Sequence, residues 1–144
     1  MSRSLQLVCP HCDAINRLPA ARLGQAPKCG RCKRPLFEGA PIELRGDNFR
    51  RHVDQNEIPV VVDFWAPWCG PCRMMAPAFA AAAQQLEPAA RLVKVNTEEE
   101  QALAAAFGIR SIPTLAIFKN GSEVVRQAGA LPGAQLVAWI RGHL

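Results

Sequence analysis

Three Cys-x-x-Cys pairs are the residues of this 144-residue chain whose type and spacing point most directly to chemistry. The pairs are Cys9 with Cys12, Cys29 with Cys32, and Cys69 with Cys72. Two thiols at this spacing can exchange with a disulfide in a substrate. Two thiolates at the same spacing can supply half of a tetrahedral zinc site. The sequence around each pair indicates which use applies.

The first two pairs have the spacing of a single zinc site. From Cys9 to Cys32 the chain reads C-x2-C-x16-C-x2-C, which lies within the range of four-cysteine zinc sites. The first 40 residues are poor in apolar runs and rich in turn formers, so this segment needs a crosslink in order to fold. One Zn²⁺ held by four thiolates supplies such a crosslink and leaves His11 as a neighbour rather than a ligand. We therefore predict a structural zinc ion bound by Cys9, Cys12, Cys29 and Cys32.

A redox role for the first pair is the alternative. Cys9-Pro10-His11-Cys12 is also the tetrapeptide of strongly oxidising periplasmic thiol oxidases. Here it does not lie between a buried strand and a helix, and the N-terminus lacks the apolar stretch of a secretory signal. Structural zinc is therefore favoured, and the expected location is cytoplasmic. In that reducing compartment six cysteines indicate metal binding or redox catalysis rather than structural disulfides.

The third pair lies in a different setting. Residues 60–65 form a β-branched and aromatic run typical of a strand buried on both faces, and an alanine-rich helix to about Leu86 follows Cys69-Gly70-Pro71-Cys72. Unpaired NH groups at the start of that helix favour a thiolate at Cys69 and lower its pKa. We expect Cys69 to attack a substrate disulfide and Cys72, one turn further on, to resolve the mixed disulfide.

A carboxylate interrupts the apolar run before this pair. Asp63 is expected to be buried, which raises its pKa and lets it exchange a proton with Cys72. Lys94, in the next predicted strand, is the expected charge partner of Asp63. The alternative places Asp63 at a solvent-exposed strand end.

Strands and helices alternate after residue 40. The predicted strands are 42–45, 60–65, 92–95, 114–118 and 123–127. Asp47 is predicted to cap the first helix, Thr97 and Glu100 to form a capping box, Pro77 to kink the second helix, and Pro132 to lie in the first turn of the last. The order βαβαβαββα predicts an α/β fold with a mixed central sheet and helices on both faces.

The net charge is concentrated near the N-terminus. The first 45 residues hold eight Lys or Arg and three Asp or Glu, and so carry the whole formal excess of +5. A basic segment could contact nucleic acid, or it could offset metal-bound thiolates. Phe37 is its one aromatic residue for base stacking, so we do not expect nucleic-acid binding. A membrane partner is not expected either, because no apolar run reaches the length of a spanning helix.

Three separated motifs resemble the thioredoxin family. They are residues 62–72, 108–115 and 118–121, which occur in the order found in that family. The resemblance covers roughly residues 42–144, and with the four-cysteine segment in front the whole chain resembles the zinc-binding bacterial thioredoxins. It implies a thioredoxin fold at 41–144, preceded at 1–40 by a zinc-ribbon-like module.

The resemblance also implies particular roles. Cys69 would be the nucleophile, Cys72 the resolving thiol and Asp63 the buried proton acceptor, with Lys94 beside it. The Ile112–Pro113 bond would be cis, so that Ile112 can pair with an extended substrate backbone. The partner would dock on a flat apolar surface formed by Trp68, Gly70, Pro71, Pro113 and Gly129. Arg73 departs from the lysine that many members carry, which puts only partner preference in doubt.

The function implied is that of a protein-disulfide reductase. Its partners would be disulfide-bonded proteins and an NADPH-linked thioredoxin reductase, and we expect a monomer. Two alternatives stay open at this point. One is a thiol oxidase or isomerase, and the other is a binding or chaperone-like protein that is switched when oxidation expels zinc.

Overall fold

The computed structural model describes residues 3–144, which form seven strands, four α-helices and one short 3-10 helix. The strands are β1 Ser4–Val8, β2 Ile15–Pro19, β3 Ile42–Glu43, β4 Val60–Trp65, β5 Arg91–Asn96, β6 Thr114–Lys119 and β7 Ser122–Ala128. The helices are α1 Phe49–Gln55, α2 Gly70–Leu86, α3 Gln101–Ala106 and α4 Gly133–Arg141, and the 3-10 helix is Ala20–Arg22. The predicted order βαβαβαββα after residue 40 is confirmed.

The central sheet has the strand order β3-β5-β4-β6-β7. The pairs β3–β5 and β5–β4 are parallel, whereas β4–β6 and β6–β7 are antiparallel, which makes the sheet mixed. Strand β4 is central, with every residue from Val60 to Phe64 buried. Its continuous apolar run is the pattern of a strand covered on both faces.

Helices cover both faces of the sheet. On one face Val61 and Leu92 pack with Phe79 of α2 and Ile140 of α4. On the other face Phe49 of α1 packs edge-on against Phe118, with ring centroids 6.0 Å apart. Because side chains alternate along a strand, the residues of β4 divide between these two cores. The predicted architecture of a mixed sheet between two helical layers is confirmed.

Two predicted helix caps are wrong because other contacts take the capping side chains. Asp47 binds the Arg45 guanidinium at 3.1 Å, and Asn48 is the residue before α1. The Thr97 hydroxyl donates to the Trp65 carbonyl at 3.0 Å instead of capping a helix. The Glu100 carboxylate accepts the Gly46 NH at 2.7 Å, and α3 begins one residue later than Glu100.

Two other boundaries differ from the sequence prediction. Strand β3 spans two residues rather than 42–45, although the Leu44 NH still donates to the Lys94 carbonyl at 2.8 Å. Pro132 is the residue before α4 and not within its first turn. Pro77 lies inside α2, which nevertheless continues to Leu86 as predicted.

The N-terminal segment contains a β1–β2 hairpin and two matching turns. Asp13 NH bonds to Cys9 carbonyl at 3.0 Å, and Lys33 NH bonds to Cys29 carbonyl at 2.9 Å. Asp13 and Lys33 occupy the same position in the two turns, with φ values of 62° and 68°. The two cysteine pairs are therefore carried by equivalent loops.

This segment packs on the end of the sheet where β4 and β5 begin. Arg91, only 1% exposed, donates to the Glu87 carboxylate at 3.1 Å and to the Leu36 carbonyl at 2.6 Å. Its guanidinium lies 4.5 Å from the centre of the Phe37 ring, and Glu87 accepts the Gly39 NH at 2.9 Å. A buried ion pair thus joins the segment to the sheet.

None of the helices found in residues 3–144 combines the length and apolar character needed to cross a membrane.

Replacing Arg91 with Ala is expected to lower the free energy of unfolding by about 3–5 kcal/mol, because it leaves the buried Glu87 carboxylate without its partner. Arg50→Ala is the matched control, since Arg50 and Asp54 form an ion pair of the same spacing on the surface. That change should cost less than about 1 kcal/mol. Urea unfolding of both variants measures the difference, and equal losses would contradict this account of Arg91.

Candidate functional site

The Cys69–Cys72 pair lies where β4 leads into α2. Cys69 is the residue before the helix, and its sulfur accepts the Cys72 NH at 3.2 Å. Pro71 lies in the first turn, where its missing NH leaves no hydrogen bond unmade. The two cysteines form a disulfide with Cα atoms 5.2 Å apart. An NH of the helix start aimed at the Cys69 sulfur is a contact that stabilises a thiolate in the reduced protein.

A cis proline faces this disulfide. The Ile112–Pro113 peptide bond is cis, as the family resemblance implied. The Ile112 carbonyl lies 3.7 Å from the Cys69 sulfur. The Gly129 NH donates to the Pro113 carbonyl at 2.8 Å, and Gly129 has φ +94°, a conformation that glycine adopts without strain. Ile112, Pro113 and Gly129 thus lie together beside the dithiol.

Trp68 is a large apolar side chain exposed beside this site. It is 65% exposed, and its indole NH donates to the Glu98 carboxylate at 2.7 Å. Trp68 and Ile112 line one groove, and Pro71 lines another with Met74 and Leu131. An exposed apolar surface flanked by grooves is typical of a docking site for an extended chain. The sequence did not single out Glu98 or Met74.

Asp63 is buried on the face of the sheet that packs against α2. It is 1% exposed, and neither carboxylate oxygen has a hydrogen-bond partner. The alternative of a solvent-exposed strand end is therefore wrong. Burial raises the pKa of Asp63 to about 7, with the Lys94 ammonium opposing the shift and the Glu43 carboxylate adding to it. A carboxyl with this pKa can accept and return a proton near neutral pH.

Lys94 lies beside Asp63, as the sequence predicted. The two residues are directly paired across β4 and β5. The Lys94 ammonium lies 4.3 Å from the centre of the Trp65 ring, a cation–π contact. It makes no direct ion pair with Asp63 within residues 3–144, so their interaction acts through space.

The four N-terminal cysteines come together in one cluster. All four sulfurs lie within 4.8 Å of one another. The Cys9 and Cys32 sulfurs are 3.6 Å apart, as are those of Cys12 and Cys29. A tetrahedral zinc ion with Zn–S bonds of about 2.3 Å separates its sulfurs by about 3.8 Å, so the cluster fits zinc. His11 lies outside the cluster and binds Glu38 at 2.6 Å.

Backbone and side-chain NH groups surround these sulfurs. The His11 NH donates to the Cys9 sulfur at 3.3 Å, and the Arg31 NH donates to the Cys29 sulfur at 3.4 Å. Asn16 adds a side-chain bond to Cys29 at 3.4 Å while its oxygen accepts the Gly30 NH at 2.9 Å. Such contacts orient thiolate ligands and reduce their charge. Sequence analysis missed Asn16, because its 13-residue separation from Cys29 follows no motif.

Helix α1 anchors the first cysteine loop. His52, fully buried, contacts the Asp13 carboxylate through Nε2 at 2.7 Å. Burial lowers the pKa of His52, and the Asp13 carboxylate opposes that shift. The buried Asn56 side chain accepts the Val8 NH at 2.9 Å. No sequence signal indicated the burial of His52 against the cysteine loop, because Asp13 lies 39 residues away and no motif connects the two.

Comparison with known proteins gives matches on both parts of the chain. The family model described as Thioredoxin matches residues 40–142, and the one described as Thioredoxin 2, N-terminal matches residues 8–34. Thioredoxin C-3 of Corynebacterium nephridii is 44% identical over 138 residues, which cover 96% of this chain and 94% of that protein. Thioredoxin 1 of Nostoc sp. is 48% identical over 105 residues, covering 73% and 98%. Thioredoxin 1 of Synechococcus elongatus is 51% identical over 96 residues, covering 67% and 90%.

A helix-start dithiol facing a cis proline is the arrangement of a thiol–disulfide oxidoreductase. The family matches carry the assignment further, since they span nearly all of the described fold. The chain belongs to the thioredoxin family and is of the type with an N-terminal zinc ribbon. It is accordingly a protein-disulfide reductase with a Cys-Gly-Pro-Cys dithiol.

Replacing Asn16 with Ala is expected to weaken zinc binding by about 10- to 100-fold, the usual effect of removing a group that orients a metal ligand. Competition with a chromophoric chelator measures the affinity. Arg17→Ala is the control, because Arg17 bonds to Ser4 and Gln6 within the hairpin and away from the sulfurs. Equal affinities of the Asn16 variant and the wild type would contradict the role of Asn16.

Asp63→Asn is expected to stabilise the oxidised protein more at pH 8 than at pH 5. The folded-state pKa of about 7 exceeds the unfolded value, so the folded protein binds the extra proton and loses stability as pH rises towards 7. The stabilisation by Asn should be larger at pH 8 by about 2–3 kcal/mol, at about 1.36 kcal/mol per pH unit. Chemical unfolding at both pH values measures it, and a pH-independent difference would argue against the raised pKa.

Proposed function

We propose that the dithiol reduces protein disulfides with Cys69 as nucleophile and Cys72 as resolving thiol. The Cys69 thiolate attacks one sulfur of the substrate disulfide, which forms a mixed disulfide and releases the other substrate sulfur as a thiolate. Cys72 then gives its proton to the Asp63 carboxylate and attacks the Cys69 sulfur. The second substrate thiolate leaves, and two electrons have passed from the dithiol to the substrate. The Cys69 sulfur beside a helix-start NH is the observation that carries this assignment.

Substrate docking is proposed for the surface around the cis proline. An extended substrate segment would pair with the backbone of Ile112, and Trp68, Gly70, Pro71, Pro113 and Gly129 would contact its side chains. The exposure of Trp68 and the groove that it shares with Ile112 support this role. The positive charge of Lys94, beside Asp63, would assist the proton transfer. The resulting disulfide would be reduced by an NADPH-linked thioredoxin reductase, and the expected location is cytoplasmic.

The four-cysteine cluster is proposed to hold one structural Zn²⁺. The division proposed is a zinc-binding module at 1–40 and a thioredoxin domain at 41–144. When bound, zinc would crosslink the two cysteine loops and supply no redox chemistry. The module contacts the start of β5 through Arg91, whereas the dithiol follows the end of the parallel strand β4. A strand of six residues spans about 20 Å, so the module lies away from the docking surface.

Cysteine variants test the proposed mechanism. Cys69→Ser should abolish insulin reduction, because it removes the attacking sulfur. Cys72→Ser should trap a mixed disulfide with insulin, visible by non-reducing electrophoresis and mass spectrometry. Cys32→Ser is the control, since it alters the zinc cluster and leaves the dithiol intact. Insulin reduction by the Cys69→Ser protein would overturn the assignment. So would a mixed disulfide that the Cys72→Ser protein forms through Cys32 rather than Cys69.

A further inference from the structure

A row of three charged residues crosses the sheet at the level of the buried carboxyl. The strand register pairs Glu43 of β3 with Lys94 of β5, and pairs Lys94 with Asp63 of β4. Neighbouring strands lie about 4.8 Å apart, so the backbones of the two acidic residues are separated by about 10 Å with the lysine between them. The function described so far uses Asp63 and Lys94 but gives Glu43 no role.

All three side chains project from the same face of the sheet. Val61 and Leu92 pack in the core on the α2 side, and each lies two residues from a member of the row. Ile42 and Leu44, which flank Glu43, pack in the core on the opposite face. Because side chains alternate along a strand, Glu43, Lys94 and Asp63 share the α2 face.

The row runs from solvent into the interior. Glu43 is exposed, Lys94 is half-buried and Asp63 is buried. Glu43 lines an open cavity of about 370 Å³ together with Trp65 and Glu99. The Lys94 ammonium rests on the Trp65 ring and has no direct ion pair within the described part of the chain, so it stands between two carboxylates without being bound to either.

We propose that Glu43 is a positioning residue for the disulfide exchange: it draws the Lys94 ammonium towards the outer end of the row and so leaves the Asp63 carboxyl free to take a proton from Cys72. This inference rests on the proposed role of Asp63. The groups facing Asp63 are Lys94 on β5 and, beyond it, Glu43 on β3, whereas its β6 partner is the apolar Leu115. On the α2 side Cys72 does not titrate in the disulfide form.

The charges act in the direction that the proposal requires. The Lys94 ammonium lowers the pKa of Asp63 against the larger effect of burial, and the Glu43 carboxylate raises it. Although the Glu43 residue is exposed, the protein around its carboxylate desolvates it and raises its pKa, and the Lys94 ammonium opposes that shift. Without the charge of Glu43, the lowering effect of Lys94 on the pKa of Asp63 should therefore be unopposed by that carboxylate.

The first test is a ¹³C-carboxyl NMR titration of Asp63 in the oxidised, zinc-loaded full chain, with Asp63→Asn used to assign the signal. Two charges about 10 Å apart at an effective dielectric constant of about 20 interact by about one pKa unit, and solvent around Glu43 reduces this. We expect Glu43→Gln to lower the pKa of Asp63 by about 0.5. Glu99→Gln, which removes a charge from the same cavity but lies outside the row, should lower it by less than about 0.2.

The second test asks whether Lys94 carries the effect. Glu43→Gln is repeated in a Lys94→Met background, or in Lys94→Gln if the first variant unfolds. The shift with Lys94 present should be at least about twice the shift without it, because only the direct repulsion between the carboxylates then remains. A shift of similar size in both backgrounds, or no shift with Lys94 present, overturns the proposal.

A kinetic readout separates this proposal from the proposed function. The pH profile of insulin reduction by the Glu43→Gln protein should move to lower pH by the same amount as the NMR titration. A profile that stays in place while the NMR titration moves would overturn a role of Glu43 in the exchange. Failure of the dithiol mechanism itself would instead appear in the Cys69→Ser and Cys72→Ser variants, which do not involve Glu43.

Discussion

Burial of an unpaired carboxyl in the central strand is the constraint on which much of this structure depends. Asp63 has no hydrogen bond to either oxygen, and desolvation disfavours its charged form. Only a strand covered on both faces and bordered by two others can hold such a group away from water. Strand β4 meets that need, because β5 and β6 flank it and apolar cores lie on both sides. At neutral pH the fold is therefore less stable for keeping this carboxyl out of water, and the proposed role of Asp63 as proton acceptor gives that burial a use.

Strand β5 carries two cationic side chains, Arg91 and Lys94, which differ in burial and in ion pairing. Arg91 is buried, and its ion pair with Glu87 and its bond to the Leu36 carbonyl fix its geometry. Lys94, three residues on, is half-buried and has no direct carboxylate partner within residues 3–144. A buried guanidinium bonded to both parts of a fold is suited to joining them, because removing it leaves the buried Glu87 carboxylate without its cationic partner. An ammonium without a direct carboxylate partner can instead change its influence on a neighbouring carboxyl, as the proposed role of Asp63 requires.

The sequence was informative wherever a local pattern determined the structure. The order of elements, the central position of β4 and the clustering of four cysteines follow from hydrophobic runs and cysteine spacing. The cap at Asp47 was mispredicted because the neighbouring Arg45 binds its carboxylate. The cap at Thr97 was mispredicted because a distant group competes for its side chain: the Thr97 hydroxyl bonds to the Trp65 carbonyl, 32 residues away. Arg91 and His52 were missed for the same reason. Their partners lie 55 and 39 residues earlier in the chain, and no periodic signal connects them.

The placement of the two sulfur sites limits how one can affect the other. The four-cysteine cluster adjoins the start of β5 and helix α1, whereas the dithiol follows the end of β4 about 20 Å away. A short extended segment docked at Trp68 would therefore lie away from the cysteine loops. What the two parts share is a set of buried polar contacts, in which His52, Asn56 and Arg91 each bind one group of the N-terminal segment. Disordering that segment would remove these contacts, at a cost of about 1–3 kcal/mol for each neutral group left buried without its partner, whereas Arg91 would keep its ion pair with Glu87. Since this cost falls on α1 and β5 rather than on the dithiol, coupling between the sites acts through the stability of the whole fold.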